Sequence, residues 1–316
     1  MSKDVIYHYC SEEVFNLIIE NKTIRMSDIK HMNDYMEKEW AFKIVTELLE
    51  EVLISEGVTI DLDEAFYYAE GINSHREYFE SEIKSMLDVY KLILIACFSK
   101  DGDKLSQWRA YADDGNGLSI GFNKKILDKL VNKGAYRSSF FVKEIVYSEK
   151  KQQKILSDII VSGVKRAKNY YHDIGILNDW LEFFQLESEI FGEYIAREIL
   201  DICCYLKNPS FQEENEVRVI YNPFLTEEDV EDTKLFDMKS EWRNFSISAL
   251  NSMNRNGINV SYCDLGFENY LFDNLINEII IGPKSKLSEN DLRLKLKIQG
   301  FNIENIIVKK SAASYR

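Results

Sequence analysis

Apolar and polar positions alternate in two registers along this chain. Residues 5–9 are β-branched and aromatic, the pattern of a strand. Ser11 follows as an N-cap, with Glu12 and Glu13 in the first turn and Val14, Leu17 and Ile18 as the apolar stripe of a helix. Residues 23–27 predict a second strand, and a loop with Met32, Asn33 and Asp34 comes next. From 37 to about 56, Trp40, Ile44, Leu48, Leu49 and Val52 recur at helical spacing. Two more helices are predicted over 63–70 and 74–90, the second with Phe79, Ile83, Met86 and Leu87 inward. Residues 92–98 form an unbroken apolar run, which reads as a buried strand.

The next stretch predicts a helical turn over 105–111, a tight turn over 113–117 and a strand over 118–122. A short helix at 124–131 and a strand at 140–147 follow. The longest helical block runs over 149–171 and 179–206, with Ile155, Ile159, Ile160, Phe184, Ile190, Ile195 and Ile199 on its inner faces. Strands are predicted at 216–221, 258–263, 278–281 and 303–309, with a helix opened by Ser288-Glu289-Asn290-Asp291 in capping-box form. Clean βαβα alternation is absent, which argues against a doubly wound parallel sheet. The pattern predicts a single elaborated α+β domain over 1–316, with a mixed or largely antiparallel sheet and helical insertions at about 37–90 and 149–206. Two domains with a helical second half is the other arrangement it allows.

Composition narrows the function classes. In 316 residues there are 39 Lys and Arg against 53 Asp and Glu, a formal net charge of −14. That balance argues against a general nucleic-acid coat or a membrane-surface binder, because phosphate binding needs positive charge, but it leaves room for a local basic groove. The basic and aromatic residues gather at 100–111 and 137–143, where an anionic ligand can enter. The start shows no signal-peptide pattern, and no apolar run approaches the roughly 20 residues that span a bilayer. The five cysteines show no CxxC spacing. Together these predict a cytoplasmic protein with reduced thiols, no membrane partner and no structural metal site.

Nucleotide and protease signatures are missing: no GxGxxG, Walker A loop, HExxH or GxSxG occurs. His75 and His172 have no ligand partner at i+4, and Cys10 beside His8 lacks the orienting group a thiol nucleophile needs. His8 faces opposite to Tyr7 and Tyr9 on its strand, towards either the core or a cleft. Glu214, Glu216 and Arg218 share one face of a strand or its approach, with Val217 and Val219 on the other. This is either a solvated sheet face or a carboxylate row that stabilises a developing cation. Trp108, Arg109 and Tyr111 can hold a nucleotide by stacking and charge, or pack a sheet edge.

The blocks Tyr7-His8-Tyr9-Cys10-Ser11, Ile24-Arg25-Met26-Ser27, Cys97-Phe98-Ser99 and Gln107-Trp108-Arg109-Ala110-Tyr111-Ala112-Asp113 occur in order. Gly117-Leu118-Ser119-Ile120-Gly121-Phe122, the Glu214–Arg218 stretch, Ile279-Ile280-Ile281-Gly282-Pro283 and the closing Ser311…Tyr315-Arg316 complete the set. In this order they resemble the bacterial family known as domain of unknown function 2971, whose pattern is similar to the ADP-ribosyltransferase fold. The resemblance implies a split sheet clasping NAD. His8 matches the first-strand residue that binds the adenosine ribose. Ser99, with Tyr111 as a rival, matches the nicotinamide-side hydroxyl, although the usual Ser-Thr-Ser motif is reduced to one serine. Glu216 and Glu214 match the catalytic Glu and the residue two places before it. Tyr9, Trp108, Arg109 and Arg218 are the further candidates for holding NAD, the arginines through its pyrophosphate. Breaking the nicotinamide–ribose bond produces an oxocarbenium-like ribose, which a carboxylate stabilises.

The function expected from this is an ADP-ribosyltransferase-like enzyme using NAD, a bacterial anti-phage effector or toxin. Its acceptor is a protein or a nucleic acid, and a homo-oligomer or a defence-system protein is its partner. A catalytically silent ligand-sensing or interaction module is the alternative. A nuclease is a third class, with only 213–216 clustering carboxylates for a metal.

Overall fold

The computed structural model describes residues 4–31, 37–57, 61–69, 71–89, 92–130, 138–174, 194–196, 198–199, 202–223, 245–271 and 273–315. The predicted loop residues Met32, Asn33 and Asp34, the basic Arg137, and the inward Phe184 and Ile190 lie outside these residues, as do the side chains of Met86, Leu87 and His172.

The strands and helices follow in chain order. β1 (Val5–Cys10), α1 (Glu12–Asn21) and β2 (Thr23–Asp28) open the chain, followed by α2 (Glu37–Ser55), β3 (Ala65–Ala69), β4 (Ile72–Ser74) and α3 (His75–Val89). Then come β5 (Leu94–Ser99), α4 (Leu105–Tyr111), β6 (Leu118–Asn123), α5 (Lys124–Leu127), β7 (Ser138–Glu144) and α6 (Glu149–Ile174). The last group is β8 (Glu216–Pro223), β9 (Ser246–Ile247), β10 (Asn251–Arg255), β11 (Ile258–Gly266), β12 (Ile276–Ile281), α7 (Glu289–Ile298) and β13 (Ile307–Lys310). The protein is therefore a mixed α+β chain, and among the described residues no helix is long and apolar enough to cross a membrane.

Two compact units emerge. The first combines Met1–Asn33, Leu92–Ile145 and Phe211–Arg316; the second combines Asp34–Lys91 and Val146–Ser210. The second unit is made of the two stretches expected as separate helical insertions, which pack with each other as a unit of their own.

The first unit is built on an open, mostly antiparallel sheet, of eleven strands among the described residues, whose main path runs β10-β11-β2-β5-β1-β6-β12-β13. β8 joins β5 to β7, β9 pairs with β11, and β12 with β13 is a parallel pair. Residues directly paired across an antiparallel ladder share a face. The pairs Ile6↔Phe122, Phe98↔Val217 and Val142↔Val219 therefore define one apolar face. Phe15, Ile18 and Ile19 of α1 and Leu292 and Leu296 of α7 close over it. Each such side chain contributes about 1.5–3 kcal/mol on leaving water. The other face carries Tyr7, Tyr9, Ser99, Glu216 and Arg218, and α4 covers part of it through Trp108.

Ser11 caps α1, its Oγ accepting from the Val14 amide at 3.2 Å, and Ser288 does the same for α7 through Asp291 at 3.1 Å. The buried stripe of α1 is Phe15, Ile18 and Ile19; Val14 and Leu17, expected inside, are exposed. Both triplets fit the helical period, and docking puts the one that contains the Phe15 ring inward. Residues 65–69 form a strand instead of the helix predicted over 63–70. The aromatic run Phe66-Tyr67-Tyr68 favours an extended chain, and Gly71 at φ +83° turns it into the antiparallel partner β4.

In the second unit α2 packs on α6. Val45, Leu49 and Leu53 are buried on the first helix, and Leu156, Ile160 and Val164 on the second. Buried Gln152 is satisfied from three sides: it accepts from the Trp40 indole at 3.1 Å and donates to the Val146 and Lys207 carbonyls at 2.6 and 2.8 Å. Arg76 ties Asp63 bidentately, at 2.6 and 3.1 Å, and reaches Glu50 at 2.8 Å.

Gly117 lies so close to the Cys10 and Ala112 carbonyls that a Cβ would enter the backbone. Gly117→Ala therefore destabilises the first unit by more than Ser11→Ala, whose lost cap costs about 1 kcal/mol. Urea unfolding followed by circular dichroism orders the two, and equal midpoints contradict the close approach at Gly117.

Candidate functional site

The site begins with the edges of β5. β8 pairs with it over its whole length, from Leu94↔Tyr221 to Ser99↔Glu216. Its other edge is shared: β2 pairs at Leu94 and Ile95, and β1 joins only at Ser99, opposite Tyr7. Between them His8 reaches back, its Nδ1 lying 2.9 Å from the Cys97 carbonyl, while its ring tilts against Phe98 at 5.8 Å. Burial lowers the His8 pKa, against the upward pull of that carbonyl. A neutral imidazole donating from Nδ1 fits both facts.

At the end of β5 a dense polar network begins. Ser99 is buried; its Oγ donates to the Glu214 carbonyl at 2.8 Å and accepts from the Asp101 amide at 3.2 Å. The 3₁₀ turn Pro209–Glu214 is held to α4 from two further points. Tyr111 donates to Glu214 Oε1 at 2.8 Å, and Lys104 Nζ bonds the Glu213 carbonyl. Asn215 then takes a left-handed φ of +48°, its carbonyl accepting from the Lys100 amide at 2.9 Å, and β8 starts.

The first two outward residues of β8 are paired. Arg218 Nε meets Glu216 Oε1 at 2.7 Å and its Nη2 meets Oε2 at 3.0 Å. Their side chains are only 2% and 6% exposed. A bidentate pair this deep keeps the carboxylate ionised and orients both its oxygens. Val217 and Val219 point into the apolar core, as alternation requires.

The geometry brings Ser99, Glu214, Glu216, Arg218 and Tyr111 into one neighbourhood. It does not add His8, which sits on the apolar face with Ile6 and Phe98. Trp108 is fully buried, with its indole NH on Asp103 at 2.7 Å and its ring edge-on to Tyr9 at 4.9 Å. Tyr9 is buried too; its hydroxyl donates to the Asp101 carbonyl at 2.7 Å and accepts from the Lys104 amide at 3.0 Å. These two rings build the platform under the loop rather than offering open faces. Arg109 is exposed and lies 5.9 Å from the Tyr315 ring. The basic cluster expected at 100–111 is largely tied down: Lys100 pairs with Glu144 at 2.6 Å, and Lys104 is spent on Glu213.

Sequence reading missed Asp103 and, although it singled out the closing Ser311…Tyr315 block, did not show what that segment bonds. Asp103 accepts from Trp108, from the Ser311 hydroxyl and from the Ala312 amide at 2.7 Å. Tyr315 donates to Asp114 at 2.7 Å, which Lys284 also meets at 2.8 Å, holding the Asp114 carboxyl below its usual range. The one available signal was the Asp101-Gly102-Asp103 triplet between a buried strand and a helix. Tyr7, whose hydroxyl donates to Glu278 at 2.9 Å, adds a further partner pair.

Residues 107–219 match the model of the family described as Protein of unknown function (DUF2971). The matched segment contains Trp108, Arg109, Tyr111, Glu214, Glu216 and Arg218; β1, Ser99 and the blocks after β8 lie outside it. No curated protein and no solved structure matches the chain.

Two outcomes follow. Removing one partner of the pair, by Glu216→Gln or Arg218→Met, costs about 3–5 kcal/mol because it breaks a buried bidentate ion pair. The double variant costs less than the sum of the singles, which a double-mutant cycle in urea measures, and strict additivity removes the pair from the fold's support. The second outcome concerns His8. Its folded pKa lies below its unfolded value near 6.5, so unfolding takes up a proton and stability falls as pH drops through about 6.5. His8→Phe flattens the change in urea midpoint between pH 7.5 and 5.5; an unchanged slope shows that His8 titrates freely in the folded chain.

Proposed function

We propose that this chain is an ADP-ribosyltransferase-like enzyme that takes NAD as substrate, acting as a bacterial defence effector or toxin on a protein or nucleic-acid acceptor in the cytoplasm. The observation that carries the reading is the buried Glu216–Arg218 pair, with the Glu214 carboxylate two residues earlier held by Tyr111. A carboxylate kept ionised in a low-dielectric setting is suited to stabilise the cationic ribose as the nicotinamide C–N bond breaks and nicotinamide leaves. Glu216 meets the ribose, and Glu214 takes the proton of the attacking acceptor. His8, whose ring lies on the opposite, apolar face of the sheet with Nδ1 at the Cys97 carbonyl, has no part in this reading. Arg109 faces the pyrophosphate. Tyr9 and Trp108 shape the floor and do not stack on the base.

One observation favours the silent ligand-sensing module instead: both oxygens of Glu216 are already taken by Arg218. Catalysis on the first reading requires one of those bonds to exchange for a ribose hydroxyl. Purified full chain incubated with labelled NAD, alone and with cell lysate or nucleic acid, separates the two. The enzyme releases nicotinamide or transfers label, and Glu216→Gln slows this by about a hundredfold or more. Glu216→Asp retains part of the rate by keeping the charge. NAD binding by calorimetry without turnover selects the silent module, and undiminished turnover in Glu216→Gln overturns the assignment of the carboxylate.

A further inference from the structure

The lysines of the first unit are largely spent on partners: Lys100 on Glu144, Lys124 on Asp128, Lys284 on Asp114 and Lys309 on Glu278. On α6 the pattern differs. Gln152, Leu156, Ile160 and Val164 are buried, and around the opposite side Lys150, Lys151, Lys154, Lys165 and Arg166 are all exposed. Asp158 is the one exposed acid among the described residues between them. Among the described residues the four ammonium groups make no ion pair, while Arg166 lies over the Tyr194 ring at 4.7 Å. On a helix rising about 1.5 Å per residue, the stripe from Lys150 to Arg166 is about 24 Å long.

A chain with a net charge of −14 does not need a concentrated positive stripe for solubility, and self-repulsion along the helix costs stability. We propose that the outer face of α6 docks the phosphate backbone of a nucleic acid. The charge is complementary, and a rigid rod of five cations suits a ligand whose anions repeat along a line. An anionic membrane is disfavoured on chemistry: the exposed residues between the cations on this face are the polar Asp158 and Ser162, and none of the large exposed apolar residues of the described chain lies on α6. The proposal does not rest on the NAD reading, and its test contains no NAD.

Fluorescence anisotropy of the purified full chain with a labelled 20-nucleotide single-stranded RNA and a 20-base-pair DNA measures it. Binding is expected to weaken as salt rises, and Lys150→Glu/Lys154→Glu/Lys165→Glu to lose about tenfold or more in affinity, the salt slope falling by about one unit per contact removed. Lys297→Glu/Lys310→Glu, exposed cations of the first unit, leaves binding unchanged, and circular dichroism certifies the fold of each variant. The proposal is overturned by absence of binding at 50 mM salt, by equal loss in the control variant, or by equally tight, equally charge-dependent capture of phosphatidylglycerol vesicles or polyglutamate.

Discussion

A strand edge owns a single row of N–H and C=O groups, and on β5 one such row is divided between two neighbours. β2 takes the first part, β1 takes the last, and the His8 imidazole reaches the Cys97 carbonyl between them. An unpaired buried carbonyl would cost about 1–3 kcal/mol, so a side chain has to stand in where the strands diverge. From this division the two wings of the sheet follow. β1 carries β6, β12 and β13 in one direction, and β2 carries β11 and β10 in the other. The polar network around Ser99 grows at the branch because β5 ends there, with β8 still bonded to it.

That network is a matter of charge accounting in a dry setting. Arg218 and Glu216 answer each other, Ser99 and Lys104 hold the carbonyls of the turn before β8, and Tyr111 holds Glu214. Each bond immobilises the residues before β8, whose left-handed Asn215 would otherwise be a weak point. The cluster is thus rigid on the backbone side. Both Glu216 oxygens are engaged by Arg218, so a ligand reaches that carboxylate only by exchanging for one of those bonds.

Much of this was legible in the amino-acid order. Strand alternation told correctly that Val217 and Val219 face the core and that His8 opposes Tyr7, and Ser11 and Ser288 announced their helices. What was not legible depends on long-range pairing. Whether Val14 and Leu17 or Phe15 and Ile19 face inward is settled by the sheet that α1 meets, not by period. Trp108, Arg109 and Tyr111 read either as a nucleotide-stacking group or as packing of a sheet edge, because aromatic residues beside an arginine carry the same pattern whether exposed or buried. Of these Trp108 alone is buried, and it is bonded to Asp103, which is held in turn by a segment about two hundred positions further on. Residues 63–70 show the same limit, since a short apolar run takes its state from its neighbour.

The reach of those bonds has a consequence for how the protein is made. Tyr7 is bonded to Glu278, and Asp103 to Ser311, across sequence separations of 271 and 208 residues. A chain emerging at about 5–20 residues per second exposes β1 for tens of seconds before its distant partners exist. In that interval the apolar face of β1, β5 and β6 lacks α7, and the platform beneath the 100–104 loop lacks its last donors. The polar cluster is therefore completed only after its distant partners have been made, and for the nascent chain that interval is a window in which chaperone binding matters most.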